Sequence, residues 1–363
     1  MSTDTPLADA LAARTLALIN ISSVSRDEQA IMAAIRAGLP GGFEEWYADG
    51  DALVVATPRR RGVPLVVLAG HVDTVPAQGN LPGRIADGHV IGLGASDMKG
   101  GVAVMLEIAD WIARDVPERA VDLVWVIFTR EELPVSESPL PAAFAACPNL
   151  AEAALAIVME PTDNTVQAGC LGNLNATLRF RGASAHSARP WTGDNAINRA
   201  VVGLGSLINV APRVVEIDGF TFTEVLSITR IHGGIADNVI PDLVECHLNF
   251  RFTPDRTLDQ ACEVVRDLVG GVGELEITSV SPAGRVAPRT PLLERLIASG
   301  GFAMAPKQAW TPVAQFTQVG IDAVNFGPGA TAMAHARHER IAVAELVRAY
   351  DALQRFIGDD GAG

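Results

Sequence analysis

Basic residues, cysteines and long apolar runs are all scarce in this 363-residue chain. Its 28 lysines and arginines face 42 aspartates and glutamates, and the net charge of −14 argues against nucleic acid or an anionic membrane as a partner. No apolar run approaches the roughly 20 residues that span a bilayer. The four cysteines are widely separated and include no C-x-x-C pair, so we expect reduced, mostly buried thiols. The first residues, MSTDTPLADALAART, lack a basic region followed by an apolar stretch, so we expect no secretory signal and a cytoplasmic location.

The length and the order of the predicted elements indicate two domains. Up to about Pro161, apolar strands alternate with helices, which predicts a mainly parallel sheet covered by helices. The pattern over 173–285 is β-α-β-β-α-β, the ferredoxin-like arrangement, and α/β patterning then returns. We therefore predict a discontinuous α/β domain of residues 1–172 and 286–363, interrupted by an α+β domain of residues 173–285.

Apolar periodicity also predicts individual helices. The segments GGVAVMLEIADWIARD and VAELVRAYDALQRFI each read as one helix. Ser25-Arg-Asp-Glu28 resembles a capping box, so we expect it to open the second helix of the chain.

Acidic and imidazole residues follow several of the predicted strands. His71 follows VPLVVLAG, a Glu pair follows VDLVWVIF, and Glu160 follows AALAIVM. In open α/β sheets, ligands bind at the carboxyl ends of such strands. Two histidines and three carboxylates suit zinc or a similar borderline metal, and a shared carboxylate suits a pair of ions. The candidate ligands are His71, Asp97, Glu132, Glu160 and His335.

These positions also have ordinary structural interpretations, and for His71 it is a polar turn capped by Pro76. Asp97 precedes an apolar helix and could be its N-cap. Glu131 and Glu132 could form a solvated acidic loop, or one could bind metal while the other acts as general base. His338 follows His335 at a spacing that could put both on one metal. We favour His335, because it directly follows the loop GPGATAMA.

Three further residues are weaker candidates. Asp73 lies two residues beyond His71 and could hold the second nitrogen of that ring. His186 lies in the second domain, and a single histidine outside any ligand cluster is most simply a structural or exposed residue. Arg251 alternates with apolar neighbours and could be a surface strand residue or an anion-binding group.

Several motifs occur together in one order along nearly the whole chain: GHVDTVP, S-D-M-K-G-G, EE, EPT, GxxAHSAxPxxGxNAI, GGxxxNVIPD, FRFxPD and AHxxxE. The combination resembles the zinc-dependent aminoacylase and carboxypeptidase family, which includes succinyl-diaminopimelate desuccinylases and acetylornithine deacetylases. The likeness is greatest to the actinobacterial desuccinylases. It implies a di-zinc α/β hydrolase domain with the inserted domain as lid and dimerisation module, hence a homodimer.

The resemblance implies a metal-binding role for each candidate ligand. His71 and Glu160 would hold one zinc ion. Glu132 and His335 would hold the other, and Asp97 would bridge the two. The peptide bond after the bridging aspartate would be cis. The same ligand set also accepts cobalt or manganese.

The other implied roles concern proton transfer and substrate binding. Asp73 would orient His71, and Glu131 would be the general base for a water that bridges the ions. His186 would stabilise the developing oxyanion from the partner subunit. The implied substrate-binding residues are Asn238, Arg251 and Gly327.

The implied reaction is hydrolysis of N-succinyl-L,L-diaminopimelate to succinate and L,L-diaminopimelate, on the lysine and cell-wall pathway. The segment WTPVAQF departs from the W-T-D-V-S-R-F of close relatives at Pro312, Ala314 and Gln315. Another N-acyl amino acid, as in acetylornithine-type deacetylases, or a dipeptide is therefore an alternative substrate. A catalytically silent binding protein is a remote alternative, because Glu131 and all the ligands are present.

Overall fold

The computed structural model describes residues 5–115 and 118–358. Among these residues, the α-helices are α1 (Thr5–Ile19), α2 (Gln29–Gly38), α3 (Gly100–Asp115), α4 (Leu140–Ala146), α5 (Ala196–Leu207), α6 (Leu258–Val269), α7 (Pro291–Gly300), α8 (Val313–Gln318) and α9 (Val343–Ile357). The β-strands are β1 (Glu44–Ala48), β2 (Ala52–Ala56), β3 (Leu65–His71), β4 (Arg84–Ala86), β5 (His89–Ile91), β6 (Asp122–Phe128), β7 (Ala153–Val158), β8 (Val166–Ala168), β9 (Gly172–Arg181), β10 (Ala185–His186), β11 (Arg213–Ile217), β12 (Phe220–Gly233), β13 (Val239–Ile240), β14 (Leu243–Phe252), β15 (Glu274–Ser281), β16 (Met304–Pro306), β17 (Ala323–Asn325) and β18 (Arg340–Ala342).

The described residues divide into two compact units. The first unit takes its residues from Met1–Gly169, Val286–Ala305 and Thr311–Gly363, and the second from Cys170–Arg285 and Pro306–Trp310. The short segment 306–310 therefore joins the second unit, whereas the sequence pattern assigned it to the α/β domain. Hydrogen bonds explain the difference, because the Trp310 indole donates to the carbonyl of Pro282 at 3.1 Å.

The main sheet has the strand order β1-β2-β6-β3-β7-β17-β8-β16 within the described part of the chain. Its central strands β6, β3, β7 and β17 are parallel. Antiparallel pairs flank them, between β1 and β2, β2 and β6, and β17 and β8. The predicted α/β fold with a mainly parallel sheet is confirmed.

Burial on both faces explains why the central strands are nearly continuous apolar runs. Every residue of β3 and β6 is buried, as expected for parallel strands covered by helices. Side chains of α1, α3, α7 and α9 form one apolar core with the sheet. Trp125 of β6 lies in this core, and its indole N–H donates to the carbonyl of Met105 in α3 at 2.9 Å.

The second unit contains the antiparallel sheet β11-β12-β14-β9-β15. Buried and partly exposed residues alternate along β9 and β14, so one face is covered, and side chains of α5 and α6 pack on it. Strands β9, β12, β14 and β15 with these helices follow the predicted ferredoxin-like order. The edge strand β11 was not predicted.

The predicted capping box at Ser25 is wrong. Helix α2 begins at Gln29, and its N-cap residue Glu28 makes no side-chain capping bond. The Ser25 hydroxyl instead donates to the carboxylate of Asp73 at 2.8 Å. A long-range carboxylate acceptor has taken the hydroxyl that a local cap would have used.

The cysteines and the helices agree with the scarcity of cysteine and of long apolar runs in the sequence. The cysteines are free thiols, and Cys147, Cys170 and Cys246 are buried. Within residues 5–115 and 118–358, no helix combines the length and the apolar character needed to cross a membrane.

Candidate metal centre

His71, Asp97 and Glu160 form the first of two ligand triads. His71 is the last residue of β3, and Glu160 follows the end of the adjacent parallel strand β7, so the two side chains meet at one edge of the sheet. His71 Nε2 lies 3.2 Å from Asp97 Oδ1 and 3.9 Å from Glu160 Oε1. The three ligand atoms lie within 4.8 Å of one another, which is close enough for one metal ion.

Asp97, Glu132 and His335 form the second triad. Their ligand atoms also lie within 4.8 Å of one another. His335 Nε2 is 2.9 Å from Glu132 Oε1 and 3.5 Å from Asp97 Oδ2. Asp97 therefore faces the two imidazoles with different oxygens and belongs to both triads.

Asp73 connects the first imidazole to the loop after β6. His71 Nδ1 lies 3.3 Å from Asp73 Oδ1 and 3.2 Å from the Asp73 carbonyl oxygen. The same carboxylate accepts the backbone N–H groups of Glu131 and Glu132 at 3.0 and 3.1 Å. Burial opposes ionisation of Asp73, but these bonds outweigh it and hold the pKa of Asp73 below its usual range. One buried carboxylate thus fixes both a ring and the acidic loop.

Glu131 is partly buried, and its carboxyl group interacts electrostatically with charged residues of both triads. Desolvation raises the pKa of Glu131 well above its ordinary value, His71 opposes the shift, and the charges of Glu160 and Glu132 add to it. A carboxyl group in such surroundings is suited to carry a proton during a reaction.

The charge and the geometry of the donor set both suit a pair of divalent cations. Neighbouring carboxylates repel one another, and burying such charges is costly without a counter-ion. The nitrogen and oxygen donors sit in two overlapping triads, as two ions sharing one carboxylate require. The residues fit a di-metal pair. The carboxylates of the two triads are Asp97, Glu132 and Glu160, and those of Asp73 and Glu131 lie beside them.

Sequence reasoning missed the residue that holds the Asp97 segment. The backbone departs from helical geometry at Asp97 and Met98, and the peptide bond between them is cis, as the family resemblance implied. The buried carboxylate of Glu339 accepts the backbone N–H groups of Gly94, Ser96 and Asp97 at 2.8, 2.9 and 2.9 Å. Only its place in the motif AHxxxE could have drawn attention to it.

Gly327 lies directly against the strand end that carries Glu160. Its N–H donates to Thr162 Oγ1 and its carbonyl accepts the Asn164 N–H, both at 3.1 Å. A Cβ atom here would meet the Met159 carbonyl oxygen and lie 2.7 Å from the Glu160 carbonyl oxygen. The contacts of Gly327 are therefore those of a packing residue.

The remaining predicted residues lie in the second unit. His186 is exposed, and it pairs with Val239 across the short β10–β13 ladder. Asn238 is its close neighbour, because the Ser187 N–H donates to the Asn238 carbonyl at 2.9 Å. Arg251 lies on β14, where its Nε donates to Asn249 Oδ1 at 3.0 Å. The second unit thus brings His186 and Asn238 together.

The model of peptidase family M20/M25/M40 matches residues 67–359, a span that includes both triads and Glu131. The chain belongs to this family. A Mycobacterium tuberculosis relative, assigned as succinyl-diaminopimelate desuccinylase DapE, is 39% identical over 348 residues, which cover 95% of this chain and 97% of that protein. A succinyl-diaminopimelate desuccinylase of Corynebacterium glutamicum is 35% identical over 354 residues, which cover 95% of each protein.

Solved structures of M20-family proteins share the fold. An M20 metallo-carboxypeptidase of Sulfolobus solfataricus superposes with a TM-score of 0.78 at 16% identity, over 95% of this chain and 98% of the other. The YXEP protein of Bacillus subtilis, described as a dinuclear metal-binding peptidase of the M20 family, gives 0.69 at 17% identity, over 97% and 98% of the two chains.

Gly327→Ala should damage the first triad by displacing the backbone of Met159 and Glu160. We expect a loss of about 1–3 kcal/mol in the free energy of unfolding, typical of overpacking, together with weaker metal binding. Denaturant unfolding and metal titration of the apo protein would measure the two effects.

Gly205→Ala is the matched control, because it lies within α5 and a Cβ atom there would meet nothing within 4 Å. Alanine in a helix should leave stability unchanged or raise it by about 0.5–1 kcal/mol. Wild-type stability and metal affinity in Gly327→Ala would contradict the packing role.

Proposed function

We propose that the chain is a metal-dependent amidohydrolase that converts N-succinyl-L,L-diaminopimelate and water into succinate and L,L-diaminopimelate. The observation that carries the chemistry is the pair of ligand triads that share Asp97, with Glu131 beside them. The substrate is supported by two relatives, 39% and 35% identical over nearly the whole chain, that bear the name of this activity.

Two Zn²⁺ ions are the cofactor that we assign to the triads, since imidazole and carboxylate donors suit zinc and also accept cobalt or manganese. When bound, such ions lower the pKa of water toward neutrality and polarise the amide carbonyl. The Glu131 carboxylate takes a proton from the attacking water and delivers it to the leaving amine nitrogen. Asp73 keeps His71 Nε2 directed at Asp97 by holding the opposite ring nitrogen.

Asn238 and Arg251 are the residues that we assign to the carboxylate groups of the substrate. A guanidinium group is well matched to a carboxylate, and Arg251 is already oriented by Asn249. The second candidate function, removal of a different acyl group, is favoured by Gln315. Its carboxamide is buried and bonds to the Ser138 hydroxyl at 2.9 Å, and the family resemblance implies an arginine at this position.

Amine release from N-succinyl-L,L-diaminopimelate tests the proposal, with N-acetylornithine and a dipeptide as competing substrates. Zinc-loaded protein should turn over the succinyl substrate with a strong preference, and chelated protein should not. Preference for another acyl-amino acid would support the second candidate function, removal of a different acyl group. Metal binding with no turnover of any of the three would contradict an amidohydrolase.

Glu131→Gln should keep both metal ions and lose turnover. The amide cannot accept the proton of water, so we expect kcat to fall by about 10²- to 10⁴-fold, the usual contribution of a general base. Elemental analysis and steady-state kinetics on the same sample would separate the two effects. Glu152→Gln, a change at an exposed carboxylate of the same unit, is the control and should alter neither. Near-normal turnover in Glu131→Gln would assign the proton transfer to another group.

We also propose a homodimer formed through the second unit. Large apolar side chains are exposed on and near α5, and such patches commonly mark interfaces. Val201 and Val202 are 69% and 81% exposed, and Trp191 is 78% exposed. The edge strand β11 carries Val214, which is 63% exposed, and an unpaired edge can pair with another chain. A second copy of the chain is the occupant that this surface suits.

Within this dimer, we infer that His186 stabilises the developing oxyanion in the site of the other subunit. His186→Ala and Glu131→Gln should each be inactive alone. A purified heterodimer of the two, carrying different affinity tags, combines Glu131 from one chain with His186 from the other in one complete site. It should therefore recover about half of the wild-type rate per dimer, as expected for a two-fold symmetric assembly.

The heterodimer of wild type with Glu131→Gln, prepared with the same tags, sets the scale for one working site. No recovery in the mixed double variant would mean that His186 serves its own chain. A monomeric protein at assay concentration would contradict both the dimer and the exchange.

A further inference from the structure

Glu339 makes contacts that none of the assigned roles explains. Its side chain is 1% exposed, yet its carboxylate bonds to no cationic side chain among the described contacts. Oε1 accepts the N–H groups of Ser96 and Asp97, and Oε2 accepts the N–H of Gly94. A buried carboxylate with three backbone donors holds one conformation of the segment that it bonds.

The segment that Glu339 holds needs such an external partner. Residues Ala95–Lys99 form a single irregular turn, and Asp97 and Met98 lack helical backbone angles, so the turn is not held by a regular helical ladder. On its far side, Lys99 Nζ donates to the carbonyls of Leu18 and Ile21 at 3.1 and 3.0 Å. Asp97 is thus fixed from both directions along the chain.

The same short stretch of chain supplies a ligand and the holding group. His335 belongs to the second triad, and Glu339 follows it within consecutive turns, where the Glu339 N–H donates to the Ala336 carbonyl at 3.0 Å. The Glu339 carbonyl in turn accepts the Gly92 N–H at 3.1 Å. His335 and Asp97 are therefore positioned relative to each other by one connected set of hydrogen bonds.

We propose that Glu339 is a positioning residue of the metal centre, which fixes the shared ligand Asp97 through the N–H groups of Gly94, Ser96 and Asp97. Because Asp97 serves both triads, loss of Glu339 weakens the binding of both ions. This inference rests on the proposed di-metal function. It assigns Glu339 no contact with metal or substrate.

Glu339→Gln is the decisive variant, because glutamine has the same shape. Its single amide oxygen can still accept the N–H groups of Ser96 and Asp97. The amide nitrogen then faces the Gly94 N–H, and two donor groups cannot form a hydrogen bond. Changes to groups that orient metal ligands typically cost about 10- to 100-fold in affinity. We expect about 10-fold weaker binding of each ion in Glu339→Gln and about 100-fold in Glu339→Ala.

The measurement is titration of chelator-stripped protein with Co²⁺ alone, followed by calorimetry and by the visible absorption of the bound ion. Both binding steps should weaken together in the Glu339 variants, and the Co²⁺ spectrum should change because Asp97 moves. His335→Ala provides the contrast, since it removes a ligand of one triad and should abolish one step only. A purely structural role for Glu339 would lower the melting temperature and leave the Co²⁺ spectrum unchanged.

Asp122→Asn is the matched control for loss of a buried carboxylate. Asp122 is fully buried at the start of β6, the end away from the metal centre, and it accepts the Arg60 backbone N–H at 2.7 Å. This variant should lower the melting temperature and leave both Co²⁺ affinities at wild-type values.

The outcomes separate the two levels of inference. Wild-type protein that binds two Co²⁺ ions, with Glu339→Gln indistinguishable from it, would overturn the positioning role alone. Wild-type protein that binds no Co²⁺ would overturn the proposed di-metal function and this inference with it. Equal loss of affinity in Asp122→Asn and Glu339→Gln would reduce the effect to general destabilisation and also overturn the positioning role.

Discussion

Several carboxylates gather at one edge of the main sheet, and their mutual repulsion governs how the surrounding segments are held. Like charges a few ångströms apart in a partly buried setting oppose ionisation strongly. Buried hydrogen bonds to the backbone hold the acidic segments in place against this repulsion. Asp73 accepts the N–H groups of Glu131 and Glu132, and Glu339 accepts those around Asp97. The acidic loop and Asp97 therefore stand in position because Asp73 and Glu339, which belong to neither triad, accept their backbone N–H groups.

The parallel strands bring the residues of the site to one edge of the sheet, and hydrogen bonds then fix the orientation of their side chains and loops. Adjacent strands β6, β3 and β7 end at the same edge, which delivers an acidic loop, His71 and Glu160 to one place. Strand geometry alone would leave the loop after β6 free to turn away. Its attachment to Asp73, which in turn lies against His71 Nδ1, couples the general-base candidate to the first ligand triad. A change in the loop after β6 should therefore disturb the first triad, and a change in that triad should disturb the loop.

The sequence predicted what local pattern can encode. Helices α3 and α9 match the predicted segments, because their apolar positions recur with the helical period. His71 and Glu160 are predicted as neighbours because each follows an apolar run typical of a buried parallel strand, and the structure places these strands side by side. The partner of the Ser25 hydroxyl and the three donors to Glu339 could not be found. These bonds join residues far apart in the chain and leave no periodicity, so a capping box was predicted where Asp73 was the true acceptor.

Because the second unit interrupts the first, the residues of the candidate metal centre are synthesised in two separate stages. Residues 71, 97 and 160 are all synthesised before the second unit begins, whereas His335 and Glu339 follow it. A nascent chain that has reached residue 285 therefore carries the donors of the first triad without the group that steadies Asp97, and it lacks an imidazole for the second. On the proposed assignment, the second triad and the hydrogen bonds that hold Asp97 are therefore complete only in the finished polypeptide.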